Sequence, residues 1–272
     1  MKTHLLEVCV DSLDGLRNAL VSGADRIELC RSLDVGGMSP SLEMVSAAMD
    51  VMDAVVNQEV ETLPLQIMVR PVEPSFEYAA SLLSEMVSYI DAVKKLNDEK
   101  LESRMIKAEG GRKNFVSGFV FGCLSREVNP LVSCIQPMLS DGMMDDAELE
   151  RGDWAVDEQQ MKSLIDACKP YSTTFHRAFD EIADKEKALK ALWELGVDRI
   201  LTSGGSSMTM DAGRRTKRLY GKARSTSKQE IVGQINSPLQ KSKSSAPGGH
   251  FTIKLLVCLL SVRKSWVDSN TP

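Results

Sequence analysis

Two thiols, a histidine and a set of charges on strand-like segments are the residues of this sequence best suited to chemistry. Cys9 stands in Leu6-Glu7-Val8-Cys9-Val10, and Cys30 closes Asp25-Arg26-Ile27-Glu28-Leu29-Cys30. Alternation along a strand puts Arg26, Glu28 and Cys30 on one face and Ile27 and Leu29 on the other. Thiolates are soft donors, so a pair at neighbouring strand ends could hold a soft metal ion. The ordinary role of a strand cysteine is packing, and there is no Cys-x-x-Cys pair that would make a self-sufficient metal motif. A second cluster is His176, Arg177 and Asp180, in which the histidine ends a strand, where α/β barrels place their active sites. Asp180 could orient the imidazole or cap the following turn.

Glu7, Arg26, Glu28 and Arg70 share the parity of the thiols, and burying them unpaired would be costly. Two readings follow. One is a polar pocket for a small anionic molecule, held by Arg70 and Arg177, with Glu7 or Glu28 as acid or base. The other is an ion-pair network that fixes the core. The candidate catalytic residues are therefore Glu7, Arg70, His176 and Asp180, and Arg26, Glu28 and Arg177 are candidates for holding a cofactor or ligand.

The elements that must position these residues are legible over most of the chain. Residues 5–30 read as strand, helix and strand: Leu13, Leu16, Leu20 and Val21 recur at helical spacing and Gly23 ends the helix. Parallel strands joined by a helix lie side by side, so Cys9 and Cys30 should reach the same rim. A helix follows Ser39-Pro40-Ser41, and a third strand runs from Leu65 to Arg70 with Gln66, Met68 and Arg70 on one face. Residues 76–105 read as a long helix whose charged end looks like an insertion with no core to enter. Gly118 to Leu124 is a fourth strand, and 125–153 a long connection that acts as a lid or an excursion. A helix over 156–168, a strand over 171–177, a helix over 184–195 and a strand over 198–202 complete the pattern.

Gly23-Ala24-Asp25-Arg26-Ile27 and Gly196-Val197-Asp198-Arg199-Ile200 repeat one helix-to-strand junction,. No glycine-rich nucleotide fingerprint follows the first strand, which favours a barrel over a doubly wound sheet. The expected fold is α/β, a TIM (β/α)8-type barrel that is incomplete: six strands are clear, and strands seven and eight are missing or replaced. The domain reading is a barrel over 1–205, a basic disordered tail over 206–250 and an apolar segment over 251–272. Within that last segment, 251–262 is a candidate strand.

Composition bounds the function. With 272 residues, 43% hydrophobic and 26% charged, the chain can bury one large core,. A net charge of −5 gives no general reason to expect nucleic acid or an anionic membrane as partner,. The exception is 206–250, with nine basic and two acidic residues, read as a solvated run,. Six cysteines without tight pairing, and no apolar segment at the start, lead to the expectation of a reducing compartment, the cytoplasm and also the nucleus,. Cys123, Cys134, Cys168 and Cys258 read as ordinary packing residues, and His4 and His250 are assigned no role.

Seven segments together resemble one family. They are Leu6-Glu7-Val8-Cys9-Val10-Asp11-Ser12, Gly23 to Cys30, Gly36-Gly37-Met38-Ser39-Pro40-Ser41, Met68-Val69-Arg70-Pro71, Gly118 to Gly122, Thr174 to Asp180 and Arg199 to Gly205. In this order they resemble the CutC family of copper homeostasis proteins over residues 5–205. The resemblance implies a TIM barrel, a cytosolic protein of copper handling, and copper(I) bound at Cys9 and Cys30. A third ligand could come from His176 or a partner protein. Nothing from Ser206 onward resembles the family's seventh-strand loop and eighth strand. The alternatives are a barrel enzyme acting on a small anionic, sugar- or phosphate-like substrate, and a non-functional truncated or alternative form. The expected partners are a copper ion, a small anionic ligand and a second copy of the chain.

Overall fold

In a computed structural model of the chain, residues 6–56, 63–72, 75–105, 114–127, 153–203, 231–232 and 259–261 are described. Strands β1 (Glu7–Val10), β2 (Arg26–Leu29), β3 (Leu65–Met68), β4 (Val116–Phe121), β7 (Ser172–Phe175) and β8 (Arg199–Leu201) form one parallel run in chain order. Helices α1 (Leu13–Val21), α2 (Leu42–Val56), α3 (Ala80–Met105), α4 (Glu158–Cys168), the short α5 (Ala178–Glu181) and α6 (Lys185–Leu195) connect them. Sequential parallel strands joined by helices are the construction of an α/β barrel.

The sheet continues past β8 differently. Strand β10 (Leu259–Ser261) pairs antiparallel with β8, and β9 (Ile231–Val232) pairs antiparallel with β10. Among the described residues no pairing joins β9 to β1, so the barrel is incomplete. The apolar segment expected as a strand does supply one over three residues, running opposite to the direction a complete parallel barrel requires. The remainder of the basic run over 206–250 lies outside the described residues, as do Cys134, Cys258, His4 and His250.

Local chemistry explains the junctions. Ser12 Oγ caps α1 by accepting from the Gly15 N–H at 3.1 Å, and Asp157 and Asp184 cap α4 and α6 in the same way,. The repeated junction performs the same work twice. Gly23 and Gly196 leave their helices at φ 87° and 82°, a region that costs glycine little. Two residues on, Asp25 Oδ2 accepts from the Leu6 N–H at 2.9 Å and Asp198 Oδ2 accepts from the Thr173 N–H at 2.8 Å. Each aspartate thereby ties the turn before its strand to the start of the neighbouring strand.

The core lies mainly between sheet and helices. Ile27, Leu29, Ile67, Phe119, Phe121, Phe175 and Ile200 point outward into it and are fully buried by the helices. The other face of each strand turns inward.

Two expectations need correction. The polar end of the long helix does enter the core at its first residue: Asn97 on α3 is wholly buried, accepts from the Val116 N–H at 3.2 Å and donates to Tyr171 Oη at 3.1 Å, while 106–113 lie outside the described residues. The connection after β4 begins and ends in an unexpected antiparallel ladder, β5 (Leu124–Arg126) with β6 (Trp154–Val156). The Arg126 guanidinium stacks 3.6 Å from the Trp154 ring centroid and braces that ladder,. The lid expected over 125–153 falls otherwise on 128–152, outside the described residues.

Candidate functional site at the strand ends

Strand pairing brings the charged and sulfur-bearing side chains together in layers. In the register of β1 and β2, Glu7 is opposite Arg26 and Cys9 is opposite Glu28. The deeper layer is an ion pair, with Arg26 Nε donating to Glu7 Oε2 and both side chains 7% exposed. Beside it Arg199 Nη2 donates to Gln66 Oε1 and Ser172 Oγ, each at 2.7 Å. This polar layer is the ion-pair reading of the sequence. Glu7 and Arg26 form its centre and do not line the cavity above it.

In the upper layer Cys9 Sγ donates to Glu28 Oε1 at 3.0 Å, and Cys30 Sγ donates to the Val10 carbonyl at 3.5 Å. Cys9, Cys30, Leu33, Met68 and Val120 form one buried cluster separate from the main core. Three sulfur atoms thus belong to a single apolar nest at the carboxyl ends of β1, β2 and β3. Met68 was not expected in this role, although its parity with Gln66 and Arg70 already placed it on the inward face. None of Cys9, Cys30, Cys123 and Cys168 is in a disulfide, and Cys123 and Cys168 are buried packing residues as expected.

A cavity of ≈ 40 Å³ opens beside the nest, its wall including Cys9, Glu28, Met68, Arg70, Phe76 and His176. Arg177 is at its margin with its side chain 53% exposed, 3.5 Å from Asp180. Phe76 stacks 4.9 Å from the His176 ring and 4.9 Å from the Arg70 guanidinium carbon. It comes from the loop between β3 and α3, because the helix expected over 76–105 begins only at Ala80. Gly122 is required by this packing, since a Cβ there would lie 2.7 Å from His176 Nδ1. Asp180 turns away from the imidazole: it accepts from the Ser203 N–H at 2.9 Å and from the hydroxyls of Thr202 and Ser203. It anchors the end of β8 rather than orienting a base or capping a helix.

Electrostatics sets the protonation of the site. Burial, then the charges of Glu28 and Glu7, pushes the Cys9 thiol well above its usual range,. Burial, then the charge of Glu7, raises the Glu28 carboxyl to about 7. Burial, then the charge of Arg70, lowers the His176 imidazole to about 3. The resting site holds a neutral histidine and a protonated Cys9. His176 Nδ1 accepts from the Ala178 N–H at 3.3 Å, which leaves the ring proton on Nε2,. That tautomer is a donor toward the cavity, so Met68 is better suited than His176 to add a third soft ligand.

Among the described residues no three His, Cys, Asp or Glu side chains group closely enough to hold a metal ion. Two thiols and a thioether share one buried cluster, and donors of that kind suit a soft metal ion better than a hard one,. Among the described residues no helix is long and apolar enough to cross a membrane.

The sequence profile of the CutC family matches residues 4–111 and 146–236, which include Cys9, Glu28, Cys30, Met68, Arg70, Phe76 and His176. The chain belongs to the CutC family. It is 34% identical over 200 residues to a family protein CutC from Mesorhizobium japonicum, covering 74% of this chain and 57% of that one. It is 32% identical over 220 residues to the copper homeostasis protein cutC homolog of Homo sapiens, covering 81% of this chain and 61% of that one. The chain therefore matches less than two thirds of the length of these CutC relatives. A solved CutC structure from Streptococcus agalactiae superposes with a TM-score of 0.56 at 22% identity, covering 80% of this chain and 82% of that one, which supports the shared barrel fold.

Proposed function

We propose that this CutC chain takes part in copper homeostasis by binding copper(I) through the thiolates of Cys9 and Cys30, with the Met68 thioether as the third soft donor. The observation that carries the reading is the single buried cluster uniting the three sulfur atoms at the strand ends. Packing alone would account for buried cysteines, but it does not account for a thiol aimed at a buried carboxyl in a cavity wall. The printed name of the human relative, a copper homeostasis protein, supports the choice of metal.

Binding replaces both S–H hydrogen bonds. Copper(I) takes the place of the Cys9 and Cys30 protons, and each thiol must release one proton as its sulfur becomes a ligand. Glu28, which already accepts from Cys9 Sγ, is the adjacent acceptor for one of them. The surrounding Leu33 and Val120 exclude water and oxidants from the sulfur atoms. A reducing compartment keeps the thiols available, and the proposal extends to a cytosolic location.

The test is competition for copper(I) against a chromophoric chelator under reducing conditions. Cys9→Ser combined with Cys30→Ser should weaken binding by more than about 100-fold, because even outer-shell changes cost about 10- to 100-fold. Met68→Leu, nearly conserving volume, should weaken it less. Unchanged affinity in the double variant would falsify the assignment.

A further inference from the structure

The cavity wall contains two buried donors that the sulfur nest does not use. Arg70 is 6% exposed and His176 3% exposed. The Arg70 guanidinium is fixed from behind: Nη1 donates to the carbonyls of Gly37 at 3.1 Å and Val35 at 3.4 Å, and Phe76 covers its face. Both of those acceptors are uncharged, and Nε–H is buried without a partner among the described residues. The neutral His176 ring is held by the Ala178 N–H on Nδ1, and its Nε2–H is likewise buried without a partner. Leaving two such donors unsatisfied is costly, and satisfying a guanidinium with an anion is the strongest available remedy.

We propose that Arg70 Nε and His176 Nε2 form an oxyanion-binding subsite that takes the carboxylate or phosphoryl group of a small molecule. Phe76, in contact with both side chains, lies between them and supplies an apolar wall. Arg177 adds positive charge at the margin, tempered by Asp180. Glu28, the acidic group on the same wall, accepts from Cys9 through Oε1, and its Oε2 is buried without a partner among the described residues. The cavity of ≈ 40 Å³ admits an anionic head group, whereas sites for drug-sized ligands begin at about 300 Å³. The ligand is therefore small, or enters by its charged end alone. The subsite stands apart from the copper reading because it uses none of the three sulfur atoms.

The experiment titrates the full 272-residue chain with sodium acetate and, separately, with inorganic phosphate, following the ring nitrogen signals of His176 by NMR. A saturable shift with acetate assigns the carboxylate class and one with phosphate the phosphoryl class, and either supports the proposal. Arg70→Met should weaken that binding by at least about tenfold, the loss of one charge-assisted hydrogen bond. The Cys9→Ser, Cys30→Ser double variant should retain it, which separates this subsite from the metal ligands. Should Arg70→Met not fold, the wild-type titration decides alone. No saturable change with either anion up to about 100 mM, where a Kd of about 10 mM would still register, overturns the proposal, as does equal binding by a folded Arg70→Met.

Discussion

Replacing His176 with glutamine should alter how stability responds to acid. The imidazole is 3% exposed, with the Phe76 and Phe175 rings 4.9 and 6.1 Å away. Burial, then the Arg70 charge, lowers it from 6.5 to about 3. In the unfolded chain the same ring titrates at its ordinary value. Between those values the unfolded state binds a proton that the folded state refuses, so stability present above pH 6.5 is lost as pH falls toward 3,. At about pH 4.5 the unfolded chain is favoured by about 3 kcal/mol through this one group, at about 1.4 kcal/mol per pH unit. Glutamine carries an amide donor and does not titrate, so it removes the dependence. The assay is urea unfolding of both proteins at about pH 7.5 and about pH 4.5, reduced and at equal ionic strength. The variant should gain about 3 kcal/mol relative to wild type on going to the acid condition. Parallel pH profiles, agreeing within about 1 kcal/mol, would mean that His176 is not held neutral by burial.

Glu28→Gln probes the opposite sign: the folded carboxyl, raised from 4.5 to about 7, keeps a proton that the unfolded chain has released. Wild-type stability from this group falls as pH rises through that window, by about 3 kcal/mol in total, and unfolding curves at about pH 5 and about pH 8 should show the variant free of the loss; a pH-independent difference contradicts it. Glu7→Ala strands the Arg26 guanidinium in the deep layer and should cost about 3–5 kcal/mol in chemical denaturation, whereas a cost below about 1 kcal/mol would show that the pair is wetter than its burial implies. Asp180→Ala removes the acceptor for Thr202 and Ser203, with a cost of about 1–3 kcal/mol. Hydrogen exchange should report lost protection at the Ser203 amide, and unchanged protection there would contradict the anchoring role.

What the sequence revealed follows from periodicity. Arg26, Glu28 and Cys30 alternate with Ile27 and Leu29, and the structure turns the first set inward and buries the second beneath the helices. The duplicated Gly-x-Asp-Arg-Ile junction was visible because both copies solve the same backbone problem. Other features had no local signal. Phe76 reaches His176 from a connecting loop, and the β5–β6 ladder pairs segments separated by a long intervening stretch. Asn97 looked solvated by composition, yet its amide satisfies a strand N–H and a tyrosine. Met68 read as an ordinary apolar residue, because alternation assigns it a face and says nothing of which sulfur atoms share it. The direction of β10 depends on its pairing with β8, which no short window records.

X-ray absorption of the copper(I)-loaded chain addresses the central claim most directly, since it reports the atoms bound to the metal. A first shell made only of sulfur, diminished when Cys9 and Cys30 are replaced by serine, is the expected result. A shell of nitrogen and oxygen, or a sulfur shell indifferent to those two substitutions, would contradict the account.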